Sequence, residues 1–144
     1  MSRRDLLLAL VVLAWLLPAG APQAELVVVV NARSGVSAMT RGEVVNLFFG
    51  RSRQLFNGIE AQVADLQDAH PDRERFYRAL VGKELADVNA YWSRQLFTGR
   101  LQPPPQLKTS EEMLRWVTER PGGVGYVDLR HADARVRVVY ELKP

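Results

Sequence analysis

Thr40-Arg41-Gly42-Glu43 places a hydroxyl, a guanidinium, a small residue and a carboxylate in four consecutive positions. If a helix begins there, its unpaired amides favour an anion, and Arg41 adds charge-assisted hydrogen bonds. The chemistry on offer is capture of an oxyanion rather than bond making. The same four residues also spell a capping box, in which the Thr hydroxyl accepts the amide three residues on and Glu43 reaches back. That box competes with an anion for the same helix end. Ser34-Gly35 lies in the polar loop from Asn31 to Ser37 and can line a cleft with its amides or serve as a plain turn. Arg73, Arg75 and Arg78 crowd one helix; Arg73 and Arg75, two apart, do not share a face. Arg51 and Arg53 flank Ser52 and offer a basic rim or an ordinary surface.

Asp68-Ala69-His70-Pro71-Asp72 offers a base with a carboxylate orienter, a pair of metal ligands, or a helix cap. No third ligand stands nearby, and the other histidine, His131, sits in a distant polar loop. Structural zinc wants four ligands, and the spacing lacks the length and oxygen count of a calcium loop. Capping is the expected role, with no metal and no cofactor. The chain has no cysteine, which removes disulfides, thiolate metal sites and a thiol nucleophile. Gly123 and Gly125 do not form a nucleotide fingerprint, because the third glycine and the following helix are absent. No nucleophile and base stand at a recognisable spacing, so no enzyme is expected. A net charge of +3 is too small and scattered to predict a nucleic-acid partner. Tyr91, Trp92 and Phe97 fall at helical spacing and are expected in a core.

The elements that must position these groups are readable from their patterns. Leu26–Val30 is a continuous β-branched run, which predicts a central strand covered on both faces. Val44, Val45, Leu47 and Phe48 supply the buried stripe of a short helix that Gly50 stops. Gln62–Leu66 is expected to be one strand. Pro71 suits a first helical turn, and Phe76, Tyr77, Leu80 and Val81 form the buried face that follows. A longer helix is predicted over 84–97, then an extended connector containing Pro103-Pro104-Pro105. Thr109–Glu112 is a second capping box, followed by Met113, Leu114 and Val117, and Pro121-Gly122-Gly123 ends that helix. Val124–Val127 and Arg135–Tyr140 read as strands, the latter with Val136, Val138 and Tyr140 on one face. The order β-α-β-α-α-α-β-β describes an α/β fold, a small mixed sheet covered by helices.

Residues 1–24 read as a signal peptide. Ser2-Arg3-Arg4 is basic and Leu6–Leu17 is apolar without a break. Twelve residues span about 18 Å as helix, short of the roughly 30 Å hydrocarbon layer, which is the secretory pattern. An uncleaved inner-membrane anchor is the alternative. The expected location is the periplasm, with residues 25–144 as the single mature unit.

Several segments together resemble one family, the phosphate-type periplasmic substrate-binding proteins of ABC importers, and within it one lobe of the two-lobed type II fold. They are Val28–Asn31, Met39–Gly50, Phe56-Asn57-Gly58, Arg75-Phe76, Tyr91-Trp92 with Phe97-Thr98-Gly99, and Pro121–Val127. The resemblance implies an exported, noncatalytic ligand-binding protein for phosphate or another oxyanion, with an importer or envelope protein, or a second copy, as partner. The expected ligand contacts are Ser34, Gly35, Thr40, Arg41 and Gly42, chosen for their amides and the Arg41 cation, together with Arg75, near which the resemblance places a polar contact. Two departures matter. Residues 25–144 supply one lobe, and His70-Pro71-Asp72 stands where the family has an anion-cradling Ser-Gly-Thr turn. The alternative is an envelope accessory or protein-interaction module that keeps the lobe without phosphate binding.

Overall fold

The run Leu26–Asn31 forms β1, and all six residues are buried. Its burial follows from its place in a four-stranded sheet of order β2-β5-β1-β6, where β2 is Gln62–Val63, β5 is Gly123–Asp128 and β6 is Val136–Glu141. β1 is antiparallel to β5 and β6, while β2 runs parallel to β5. The computed structural model describes residues 25–143; the leader expected over residues 1–24 lies outside them. Among the described residues no helix is long and apolar enough to cross a membrane.

Among the described residues four helices cover the sheet: α1 Arg41–Phe48, α2 Pro71–Val81, α3 Leu85–Phe97 and α4 Ser110–Glu119. α4 packs on β5 and β1, and the approach is close. A Cβ on Gly125 would meet the Met113 Sδ at 2.3 Å, and one on Gly123 the Val117 Cα at 2.7 Å. The opposite interface is aromatic. Phe76 of α2 stacks on Tyr126 of β5 at 3.8 Å with the rings nearly parallel, and Phe48 of α1 packs on Phe76 at 4.8 Å.

The single strand expected over Gln62–Leu66 is two. At Ala64 the chain changes partners: the Gln62 and Ala64 amides donate to Gly122 and Val124, whereas the Asp65 and Gln67 amides donate to Pro105 and Leu107. Asp65–Leu66 is therefore β3, paired in parallel with β4, Gln106–Leu107, in a second small sheet. The expected connector thus ends in a strand, and the order becomes β-α-β-β-α-α-β-α-β-β. β6 alternates as expected only up to its middle. The register shifts between Val28 and Val29, Val139 has no partner in the β1 ladder, and it is buried. An extra residue on one strand of a pair is a β-bulge; the Val139 carbonyl accepts the Met39 amide and so anchors the approach to α1. Trp92 is in the core as expected, but Phe97 is 92% exposed, because the last turn of α3 runs past the surface it packs on.

Candidate functional site

The start of α2 is closed by its own residues. His70 is the N-cap, and its Nδ1 accepts the Asp72 amide at 3.1 Å; Pro71 has no amide to offer, and the Arg73 amide donates to the His70 carbonyl. The Asp72 carboxylate accepts from Arg75 at 3.1 Å. His70 is thus a cap, as its position beside Pro71 predicts.

Beneath this turn lies a buried ionic network that sequence reasoning did not single out. Asp65 and Arg73 are each 1% exposed. One Asp65 oxygen accepts the Tyr126 hydroxyl at 2.6 Å and the Leu66 amide at 2.8 Å; the other accepts the Tyr77 hydroxyl at 2.7 Å and the Arg73 Nε at 3.2 Å. Arg73 also donates to the Asp68 carboxylate and, at 3.0 Å, to Asn89 of α3, whose amide group returns a bond to Asp68. Every lone pair of Asp65 suited to a hydrogen bond has a donor. Burial lowers the Arg73 pKa, and Asp65, then Tyr77 and Asp68, outweigh it, so the net shift is upward. Burial first, then the Asp65 charge, pushes the Tyr77 and Tyr126 hydroxyls well above their usual value. The network ties β3, α2, α3 and β5 together and offers no reactive group.

α1 starts differently. The capping box forms in full, with the Glu43 amide on the Thr40 hydroxyl at 3.2 Å and the Thr40 amide on Glu43 at 2.7 Å. The Arg41 and Gly42 amides take no part in it. The Arg41 Nε donates to the Leu80 carbonyl at 2.8 Å, satisfying one of the carbonyls that the last turn of α2 leaves open. Its two terminal nitrogens take no partner among the described residues. Thr40, Arg41 and Gly42 are all exposed.

The six expected contacts fall into three places. Ser34 is 2% exposed; its hydroxyl accepts the Val36 amide and its carbonyl accepts Asn57. Gly35 sits at φ +78°, a left-handed turn position. This turn follows the end of β1 that opposes Val124, whereas α2 begins at the other end, toward which β2 and β5 both run. Ser34-Gly35 and Arg75 therefore stand at opposite ends of the sheet. Arg41 reaches α2 five residues beyond Arg75, about 7 to 8 Å along the helix axis. Thr40, Arg41 and Gly42 are consecutive and exposed at one helix start.

Arg73 carried a signal. Arg73, Phe76, Tyr77 and Leu80 fall at i, i+3, i+4 and i+7, so the guanidinium sits on the apolar stripe of α2. A cation in that position calls for a buried acid, and Asp65 stands between two apolar neighbours, Ala64 and Leu66.

No protein-family model matches the chain, and no curated protein does. Solved structures do. The chain is similar to an ABC-type phosphate transport receptor from Vibrio cholerae, with a TM-score of 0.64 at 15% identity over 81% of this chain and 45% of that one. It is similar to PstS from Borrelia burgdorferi with a TM-score of 0.60 at 11% identity, over 84% of this chain and 49% of that one. The chain thus spans less than half the length of either structure. At these identities the likeness is one of fold, and residues 25–143 have the α/β fold of one lobe of a periplasmic binding protein.

Proposed function

We propose that the chain is an exported, noncatalytic binding module that takes phosphate or another inorganic oxyanion at the start of α1. One observation carries the reading: Thr40, Arg41 and Gly42 present two amides outside the capping box beside a guanidinium whose terminal nitrogens are uncommitted. Amides at a helix start and a fixed cation both favour an oxyanion. The likeness in fold to a phosphate transport receptor supports it. Ser34 is buried with its hydroxyl and carbonyl bonded within the fold, and Arg75 is paired with Asp72, so the proposed contact centres on Thr40, Arg41 and Gly42. Glu43 at the same helix end disfavours a dianion relative to a monoanion. An open surface binds weakly, because small-molecule affinity comes from burial among convergent groups; an importer protein or a second copy closing over α1 supplies the other wall. Export to the periplasm by residues 1–24, or retention by them as an inner-membrane anchor, belongs to the same proposal.

Titration calorimetry of the exported protein with phosphate and sulfate at low salt tests it. The expected result is a saturable heat that weakens with added salt, with Arg41→Ala, and, for phosphate, as the pH rises through its second deprotonation. No heat at millimolar anion contradicts the proposal.

A second reading, an envelope accessory that uses the lobe as a protein-interaction module, is favoured by the closed start of α2. There the amides and Asp68, Asp72, Arg73 and Arg75 bond to one another. A pull-down from envelope extract that returns one stoichiometric partner supports it, and recovery of abundant nonspecific proteins alone counts against it.

A further inference from the structure

A concavity of about 550 Å³ runs between α4, the end of α3 and the Leu101–Pro105 segment. Its lining includes Arg53, Arg100 and Arg120 and contains no Asp or Glu. Arg120 stacks 3.5 Å over the Trp116 ring, and the Trp116 Nε1 donates to the Gln62 carbonyl at 2.9 Å, which fixes the indole as a wall. The nearest acid to Arg120 is Glu119 at 3.7 Å, while Arg53 and Arg100 enter no ion pair among the described residues. Three cations thus face one groove without a balancing charge inside it.

The backbone at this groove is unfinished as well. β3 and β4 pair in parallel, with the Asp65 amide on the Pro105 carbonyl. Extending that ladder one step back would need an amide from residue 105 for the Val63 carbonyl, and proline has none. Val63 turns its amide and carbonyl away from β5, since Gln62 and Ala64 make the bonds to that strand. Its polar edge therefore opens toward the Pro103–Pro105 wall. A neighbouring concavity of about 230 Å³ shares Trp92, Pro103 and Pro104 and reaches Leu96, which is 57% exposed.

We infer that this groove docks an acidic, extended segment of a partner protein. The cations answer acidic side chains, the Val63 edge answers a main chain as added strands do, and the exposed Leu96 of the neighbouring concavity answers an apolar side chain. A free inorganic anion would meet only the first of these. The site is separate from the start of α1, so it stands or falls independently of oxyanion binding.

The test uses the exported protein, whose Trp92 and Trp116 both line the groove, and follows their fluorescence. The probes are a short end-blocked peptide of alternating Glu and Val, its Lys–Val counterpart, and a single-stranded oligonucleotide. The Glu–Val peptide is expected to bind saturably, more weakly in high salt, and to slow hydrogen exchange at the Val63 amide. The double variant Arg53→Gln/Arg100→Gln should weaken it by about tenfold with the thermal midpoint unchanged, since neither side chain makes a bond among the described residues. Equal binding of the Lys–Val peptide, tighter binding of the oligonucleotide, no binding of the Glu–Val peptide, or an unaffected double variant each overturns the inference.

Discussion

The starts of α1 and α2 use the same ingredients for opposite ends. Each brings backbone amides, an arginine and a carboxylate within a few residues. At α2 the imidazole of His70 caps one amide, Pro71 removes another, and Arg73 turns inward onto Asp65 and Asp68. At α1 the capping box uses the Thr40 and Glu43 amides and leaves those of Arg41 and Gly42, and Arg41 lies along the surface with one nitrogen on Leu80. Helix phase does not make the difference, since Arg41, Val44, Val45 and Phe48 fall at i, i+3, i+4 and i+7 just as Arg73, Phe76, Tyr77 and Leu80 do. The difference lies in what each arginine meets. Arg73 is buried against Asp65 and Asp68, which match its charge inside the fold. Arg41 is exposed and meets a backbone carbonyl, so its charge stays available to solvent.

The comparison is broken most severely at Asp65. Asp65→Ala leaves Arg73 buried without its innermost partner and the Tyr77 and Tyr126 hydroxyls without an acceptor, and should cost about 3 to 5 kcal/mol, the penalty of breaking a buried ion pair. A denaturant melt of this variant should show a much lower midpoint, and an unchanged midpoint would refute the structural role of the network. Replacing both partners, Asp65→Leu with Arg73→Met, should recover a large part of the loss, because a well-packed apolar pair avoids the uncompensated charge.

The two tyrosines sharpen the contrast through pH. Their folded pKa values are raised, by burial first and then by Asp65. In the unfolded chain a tyrosine loses its proton near pH 10. The stability they contribute is therefore fully present below about pH 10 and is lost progressively as pH rises through the higher folded values. Denaturant midpoints measured across this range should fall more steeply in the wild type than in Tyr77→Phe/Tyr126→Phe.

Smaller effects are expected at α1. Thr40→Ala removes the cap and should cost about 1 kcal/mol. Arg41→Ala loses one hydrogen bond to the last turn of α2, a cost of about 0.5 to 1.5 kcal/mol. From sequence alone Arg41 reads as a surface residue whose loss leaves the thermal midpoint almost unaltered; its bond to Leu80 predicts a small but measurable drop. Arg41→Lys keeps the charge and loses the planar donor, so comparing the two variants in melts and in anion titrations separates the roles.

How much of this was legible depended on how local the signal was. The burial of β1 followed from its unbroken β-branched run, the capping box at Thr40 from four adjacent residues, and the His70 cap from Pro71 behind it. The division of the strand at Ala64 was not legible, because it arises from a change of hydrogen-bonding partner between Val124 and Pro105, both distant in sequence. The Asp65–Arg73 pair was half legible. The phase of Arg73 on α2 puts it on the apolar stripe, but Arg41 has the same phase on α1 and is exposed, and the partner that holds Arg73 inside comes from another element. The groove was hidden for a similar reason: Arg53, Arg100 and Arg120 are far apart in the chain, and only the turn after α1, the end of α3 and the end of α4 bring them to one surface.

The most direct test of the claim that α1 is the open start and α2 the closed one is to follow individual backbone amide resonances while phosphate is titrated into the protein. The account predicts saturable shifts at the Arg41 and Gly42 amides, abolished by Arg41→Ala, with the Asp72 and Arg73 amides unmoved. Shifts centred on Asp72 and Arg73, or none at Arg41 and Gly42 at millimolar phosphate, would contradict it.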